Sequence, residues 1–259
     1  MSLEESFLSH LIELRQRLIR AAAAVLILFV GLFIWPGPGN IYDFLAAPLM
    51  HALPQGAKMI ATGVVTPFVV PLKLTLLAAF ILALPYVLYQ VWAFVAPGLY
   101  EHEKRFALPL VIGSTFLFFV GVAFCYYIVF GRVFHFINMF APKAITPAPD
   151  IENYLNFVIT MFLAFGAAFE VPIVVIVLVR VGIVSVEKLA AARPYVIVGV
   201  FVIAAVITPP DALSQLMLAI PMCLLFEVGL LFARFVAKRA EQAEEPPLSD
   251  AEMERELDR

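Results

Sequence analysis

The chain has 259 residues, 63% hydrophobic and 14% charged, with a mean hydropathy of +0.97 and a formal net charge of −3. Soluble domains carry roughly a quarter charged residues, so this composition excludes an ordinary water-soluble fold and calls for lipid as the solvent of much of the surface. The charge is also unevenly divided: Glu241 to Arg259 holds eight acids against two arginines, −6 in all, which leaves +3 on the preceding 240 residues.

At the N-terminus, Phe7, Leu11, Leu14 and Leu18 fall at i, i+4, i+7 and i+11, the spacing of one face of a helix. They predict an amphipathic helix over 5–17 that leads into a first span, about 18–35, closed by Pro36, Gly37, Pro38 and Gly39. Charges of both signs precede that apolar run and no small-residue cleavage site comes after it, which argues against a cleavable signal peptide. Asn40 to Pro67 is moderately apolar but broken by prolines and glycines, and predicts short interfacial helices rather than a span. A second span is expected at about 68–92, a polar loop at Pro97–Arg105, and a third span at about 107–130. Arg132–Asn153 reads as a proline-bearing loop before a fourth span, about 154–179.

The last two apolar runs are short. Tyr195–Ile207 is 13 residues, about 20 Å of helix against a hydrocarbon core of roughly 30 Å. The sixth span, about 213–232, has only Leu213–Phe226 before Glu227 interrupts it, and Thr208-Pro-Pro-Asp211 forms the turn between the two. Residues 1–240 therefore read as one all-α, polytopic domain of six transmembrane helices. The acidic stretch 241–259, with Pro246 and Pro247, reads as a disordered, solvated tail. Cys125 and Cys223 lie inside apolar runs and are expected as reduced, packed thiols.

Orientation comes from the basic residues. With six crossings and a cytoplasmic N-terminus, thirteen Lys and Arg fall in the inner segments. Only Lys58, Arg132 and Lys143 fall outside, and Lys73 lies within a span. Cytoplasmic segments of membrane proteins carry such an excess of Lys and Arg, so both termini are expected in the cytoplasm.

Enzyme chemistry finds no support. His10, His51, His102 and His135 all lie away from mid-span, no aspartate pair sits at matching depth, and no phosphate-binding glycine loop is present. No cofactor, metal site or nucleic-acid partner is expected. What remains is a set of acids. Glu13, Glu101 and Glu103 stand among the inner basic residues; each carboxylate could accept a guanidinium through two parallel hydrogen bonds. On residue chemistry alone, local pairing is the simpler account, with Glu13 and Arg17 as i, i+4 neighbours and Glu103 beside Lys104 and Arg105. Glu170 differs, because a mid-span carboxylate costs at least about 2.5–3.5 kcal/mol and must face protein or water. It reads as a pathway or partner-contact residue, or as a hydrogen-bonded strut between spans. Glu227, near a span end, reads as structural, and Thr208 and Gln215 as helix-end capping groups.

Five runs then carry a resemblance: His10-Leu-Ile-Glu-Leu-Arg-Gln-Arg-Leu18; Tyr89-Gln-Val-Trp-Ala-Phe-Val-Ala-Pro-Gly-Leu-Tyr100 with Glu103-Lys-Arg105; Phe169-Glu-Val-Pro172; Arg193-Pro-Tyr195; and Ile207-Thr-Pro-Pro-Asp211. Together, from about Leu8 to Arg234, they resemble the TatC family, the receptor subunits of the twin-arginine protein translocase. Gly131 departs from the pattern, standing where a proline commonly ends the third span. The resemblance implies a receptor and core subunit of the bacterial inner membrane, binding Arg-Arg signal peptides of folded cargo at the cytoplasmic face. It also implies assembly with the single-span partners TatA and TatB, several copies per complex, and transport driven by the proton-motive force. It places signal-peptide binding on His10, Glu13, Arg17, Phe94, Glu103 and Arg105, a functional membrane-embedded acid on Glu170, and partner-helix contacts on Thr208 and Gln215. The rival expectation from another class is a proton-coupled small-solute transporter using Glu170.

Overall fold

The computed structural model describes residues 3–52, 58–95, 107–140, 148–208 and 211–244. Ten α-helices and one π-helical turn account for them. In order they are α1 (Leu3–Ile34), α2 (Pro38–Ala52), α3 (Thr66–Val95), α4 (Ala107–Phe124), the π turn Cys125–Val129, α5 (Phe130–Phe140), α6 (Ile151–Phe169), α7 (Val171–Arg180), α8 (Val186–Ala191), α9 (Arg193–Ile207) and α10 (Ala212–Glu244). The protein is an all-helical, multi-pass membrane protein. Among the described residues, five segments are long and apolar enough to cross a bilayer: His10–Ile34, Thr66–Phe94, Leu108–Ile137, Ile151–Arg180 and Ala212–Lys238. Arg193–Ile207 is the shorter sixth.

Three elements differ from the sequence expectation. Residues 132–140 are helix, not loop. Gly131 has no ring to clash with the preceding turn, so the third span continues, and Val133 and Phe134 face the core. The π turn adds a residue to the ladder and rotates the helix beyond it. That rotation brings Val129, Phe130 and Val133 to complete burial. Second, the amphipathic segment and the first span are one continuous helix, α1, which packs along α3 and buries none of its spanning window. Third, α10 runs on past the expected sixth span to Glu244, four residues into the stretch expected as tail. Within it, Glu227 takes a two-pronged pair from Arg193 at the start of α9, Nε to Oε1 at 2.6 Å and the second guanidinium nitrogen to Oε2 at 2.8 Å.

The larger of two apolar clusters is built from Leu74 and Leu77 of α3, Val129 and Phe130, Leu155, Phe162 and Phe165 of α6, and Leu218 of α10, and a smaller one joins Val175, Val186, Phe226, Leu230 and Ala233. Two glycines let backbones meet. A methyl group at Gly121 of α4 would stand 2.6 Å from the Phe165 carbonyl oxygen, and one at Gly229 of α10 would stand 2.9 Å from the Cα of Pro172. Small residues permit this approach between membrane helices, where packing rather than water drives association. Gly121→Ala is therefore expected to destabilise the protein by about 1–3 kcal/mol through overpacking. The check is thermal unfolding in detergent, where an unchanged midpoint would contradict the close α4–α6 approach.

The ends of the bundle differ in character. At one end lie Arg15, Arg17 and Arg20 of α1, Arg180, Lys188, Arg193 and Lys238; this is the basic end. At the opposite end a clasp joins two segments 88 residues apart. Ile60 donates its N–H to the Pro149 carbonyl at 3.0 Å and accepts from Ile151 at 2.9 Å. Asp150 caps α6, accepting from the N–H groups of Glu152 and Asn153, while its other oxygen accepts from the Thr62 hydroxyl at 2.8 Å. Tyr154 and Tyr126 close the same end by donating to the carbonyls of Leu45 and Phe44 in α2. Lys73, in the second turn of α3, lies here too, 3.7 Å from Glu152.

The Asn153 N–H, with the Thr62 hydroxyl, holds the Asp150 carboxyl below the usual carboxylate range. Its folded-state value is depressed, so the stabilisation is complete above the ordinary carboxylate value and is lost as pH falls through the lowered one. A stability gap between the parent and Asp150→Ala is expected at neutral pH and should close in that acidic window. Acid titration of unfolding in detergent measures it; a gap that persisted unchanged to strong acid would contradict the carboxylate clasp.

Candidate functional site

The first cluster forms at the basic end, where α1 enters the bundle beside the last turn of α3. The His10 ring stacks on Phe94 with centroids 4.3 Å apart and planes 25° from parallel. Glu13 and Arg17 lie three and seven residues beyond His10 on α1 and so share its face. Arg17 donates twice to Glu13 Oε1, at 2.8 Å and 2.5 Å. The i, i+4 pairing considered from sequence is thus present, and both side chains are partly buried. Glu103 and Arg105, with the rest of the Pro97–Arg105 loop, lie outside the described residues. Four of the six predicted signal-peptide positions are therefore brought together: His10, Glu13, Arg17 and Phe94.

The second cluster surrounds Glu170. Pro172 has no N–H for the carbonyl four residues back, and the fourth span breaks there into α6 and α7. Glu170 occupies the break, its N–H turned to the Ala167 carbonyl at 3.1 Å. Its Oε1 is buried and has no hydrogen-bond partner among the described residues. On α4, the Ser114 hydroxyl accepts from the indole N–H of Trp92 at 3.0 Å. Ser114 is fully buried and Gln90, half a turn before Trp92, is nearly so. Sequence reasoning passed over Trp92 and Ser114. A signal was available, since Ser114 and Thr115 are the polar residues of an otherwise apolar α4, and buried hydroxyls between membrane helices commonly hydrogen-bond across them.

The third cluster is the hairpin between α9 and α10. The Thr208 hydroxyl donates to the Ala204 carbonyl at 2.8 Å, within its own helix. Gln215 donates to the Phe201 carbonyl at 3.1 Å and so ties α10 to α9. Asp211 caps α10 through the Ser214 N–H at 2.7 Å, while Asp211 Oδ2 and Ser214 Oγ are buried without partners among the described residues. Thr208 thus caps the end of α9 as its residue type suggested, Asp211 caps the start of α10, and Gln215 bridges the two helices. Among the described residues no group of three or more His, Cys, Asp or Glu could hold a metal ion.

The family model for Sec-independent protein translocase protein (TatC) matches residues 9–221, spanning all three clusters. The chain belongs to the TatC family. It is 51% identical over 239 residues to the TatC of Haemophilus influenzae, covering 92% of this chain and 93% of that protein. It is 46% identical over 257 residues to the TatC of Escherichia coli K12, covering 98% and 99%. Among solved structures, a crystal structure described as the twin-arginine translocase receptor TatC superposes with a TM-score of 0.76 at 38% identity, over 88% of this chain and 99% of that one. The TatC resemblance read from the five sequence runs is therefore correct, and the chain is a member of a protein translocase family.

Proposed function

We propose that this protein is the signal-peptide receptor and core subunit of a twin-arginine translocase, acting without catalysis of its own. The observation that carries the reading is the His10–Phe94 stack, which fixes the start of α1 against the end of α3. It assembles a wall of aromatic and charged side chains at the end where Arg15, Arg17 and Arg20 also lie. In this reading the basic end is cytoplasmic and both termini face the cytoplasm of a bacterial cell with the protein in its inner membrane. The Arg-Arg motif of a signal peptide on folded cargo docks there, with Glu103 and Glu13 as carboxylate acceptors and Phe94 and His10 as an apolar floor. Arg17 and Arg105 set the charge around them. Arg17 already occupies Glu13, so a ligand guanidinium at Glu13 shares or displaces that contact.

The remaining clusters take the partners. Thr208 and Gln215 contact the single-span subunits TatA and TatB, Glu170 offers its unpartnered oxygen to a donor on such a helix, and the proton-motive force drives transport. Crosslinking tests the docking site directly. A photoreactive residue at Phe94 should capture an Arg-Arg signal peptide and not its Lys-Lys counterpart, since a point-charge ammonium cannot make the planar two-bond contact. Equal capture of both would sink the receptor reading. Orientation has its own check: single cysteines beside Lys188 should label only from the cytoplasm and those beside Lys58 only from outside.

A further inference from the structure

We propose that a groove at the clasp end of the bundle is a binding site for one acyl chain of a membrane phospholipid. The groove has a volume of about 430 Å³, and its walls include Leu32 of α1, Ala78 and Ile81 of α3, Phe119 and Val122 of α4, and Phe162 of α6. All six lie within membrane spans. Leu32 is two residues short of the end of the first span, and Phe162 is eleven residues into the fourth, or about 16 Å at the rise of an α-helix. Leu82 and Tyr127 also line the groove, belong to spans and are exposed. It therefore opens sideways into lipid rather than onto water.

The walls select the occupant. Among the described residues they carry three polar side chains, Asn40, Tyr126 and Tyr127. Asn40 gives its amide N–H to the Pro36 carbonyl at 2.7 Å, and Tyr126 gives its hydroxyl to the Phe44 carbonyl at 2.7 Å. The second contact is held in place by Pro48, which has no N–H to offer the carbonyl four residues back. The third, Tyr127, stands at the exposed mouth. A water inside would need two to four polar partners, and the groove has no such set to spare. A partner helix is too wide: with side chains it is about 10–12 Å across, so roughly one turn would exhaust the volume. A methylene group takes about the space of a water molecule, roughly 30 Å³, so the groove holds on the order of 14 in single file, close to one acyl chain. Left empty, it would deprive its lining of packing partners on one side. The chain also lies against Ile41 and Leu45 of α2, the helix that Tyr126 and Tyr154 fasten to the bundle, and so becomes part of the packing at that end.

Photolabelling of the whole protein in vesicles of phosphatidylethanolamine and phosphatidylglycerol tests this, with a phospholipid carrying a diazirine in mid-chain as the reagent. Mass mapping should find Ile81, Phe119 and Val122 labelled about tenfold more than Ile27 and Leu224, exposed residues of α1 and α10 outside the groove, the ratio set by a preference of about 1.4 kcal/mol. Ala78→Phe and Ala123→Phe each place a ring at the groove and should remove the excess while labelling of Ile27 and Leu224 is unchanged. Adding phospholipid to delipidated protein in detergent should raise the unfolding midpoint of the parent and not that of Ala78→Phe. The excess in the parent needs no variant, so the proposal stays open to refutation even where a filled groove disturbs folding. Equal labelling of groove and open-face residues would show boundary lipid only and overturn it. Groove labelling that disappears when the single-span partner is added would give the groove to a protein helix and overturn it equally.

Discussion

Replacing Glu103 with Gln is expected to weaken binding of a twin-arginine signal peptide by roughly 10- to 150-fold, the equivalent of about 1.5–3 kcal/mol for a hydrogen bond to a charged group. The loss comes from leaving a ligand guanidinium at a low-dielectric membrane face without its acceptor. The neighbouring substitution Glu101→Gln should cost less, because successive side chains in a loop need not point the same way. Glu13→Ala should be intermediate. Its carboxylate is already held by Arg17 at 2.5–2.8 Å, so deletion removes one acceptor and at the same time frees a basic side chain that repels the ligand. Titration of purified protein in detergent with a labelled peptide measures all three. Parent-like affinity in Glu103→Gln, together with equal binding of Arg-Arg and Lys-Lys peptides, would refute the receptor mechanism.

At Glu170 the expected result is a split between two substitutions. If Oε1 serves as an acceptor for a partner donor, Glu170→Gln keeps a carbonyl oxygen of the same reach and should retain most transport. Glu170→Leu offers no acceptor to the partner's donor and should lower transport at least tenfold, in line with about 1.5 kcal/mol or more for a buried polar group left unsatisfied. Export of a reporter carrying an Arg-Arg signal, measured in cells with equal amounts of each variant in the membrane, reads the split. A dead Glu170→Gln would point instead to a proton that must be carried, and so to the transporter reading.

The architecture was legible because membrane spans announce themselves by hydropathy and length alone. The apolar runs, the interfacial character of α2 and the shortness of α9 are all consequences of that. What hydropathy cannot see is how helices end and turn. The continuation of the third span into α5 depends on Gly131 not being proline and on a π turn at Cys125–Val129, neither of which changes the apolar content. The partner of Glu227 is Arg193, 34 residues earlier in the chain, which hydropathy does not record. The site was legible by halves. Glu13 and Arg17 are visible from spacing, and Glu170 from the cost of a charge in a span. The His10–Phe94 stack and the Trp92–Ser114 contact join residues 84 and 22 positions apart. Such pairings are set by how α1 and α4 lie on α3, and periodicity within one helix carries no record of them.

Gly229 has a mechanical consequence. Because Gly229 has no side chain, α10 rests directly on the Pro172 backbone and the Val175 side chain of α7. Close-packed contacts of this kind transmit strain instead of absorbing it. Pro172 is two residues from Glu170, and the other end of α10 begins at the hairpin that carries Thr208 and Gln215. The sixth span is thus held at a fixed distance from the α6–α7 break, so the packing of α10 and the placement of Glu170 are set by one and the same contact. A methyl group at that contact, as in Gly229→Ala, would push α10 away from Pro172 and disturb the break beside Glu170 without altering the carboxyl itself.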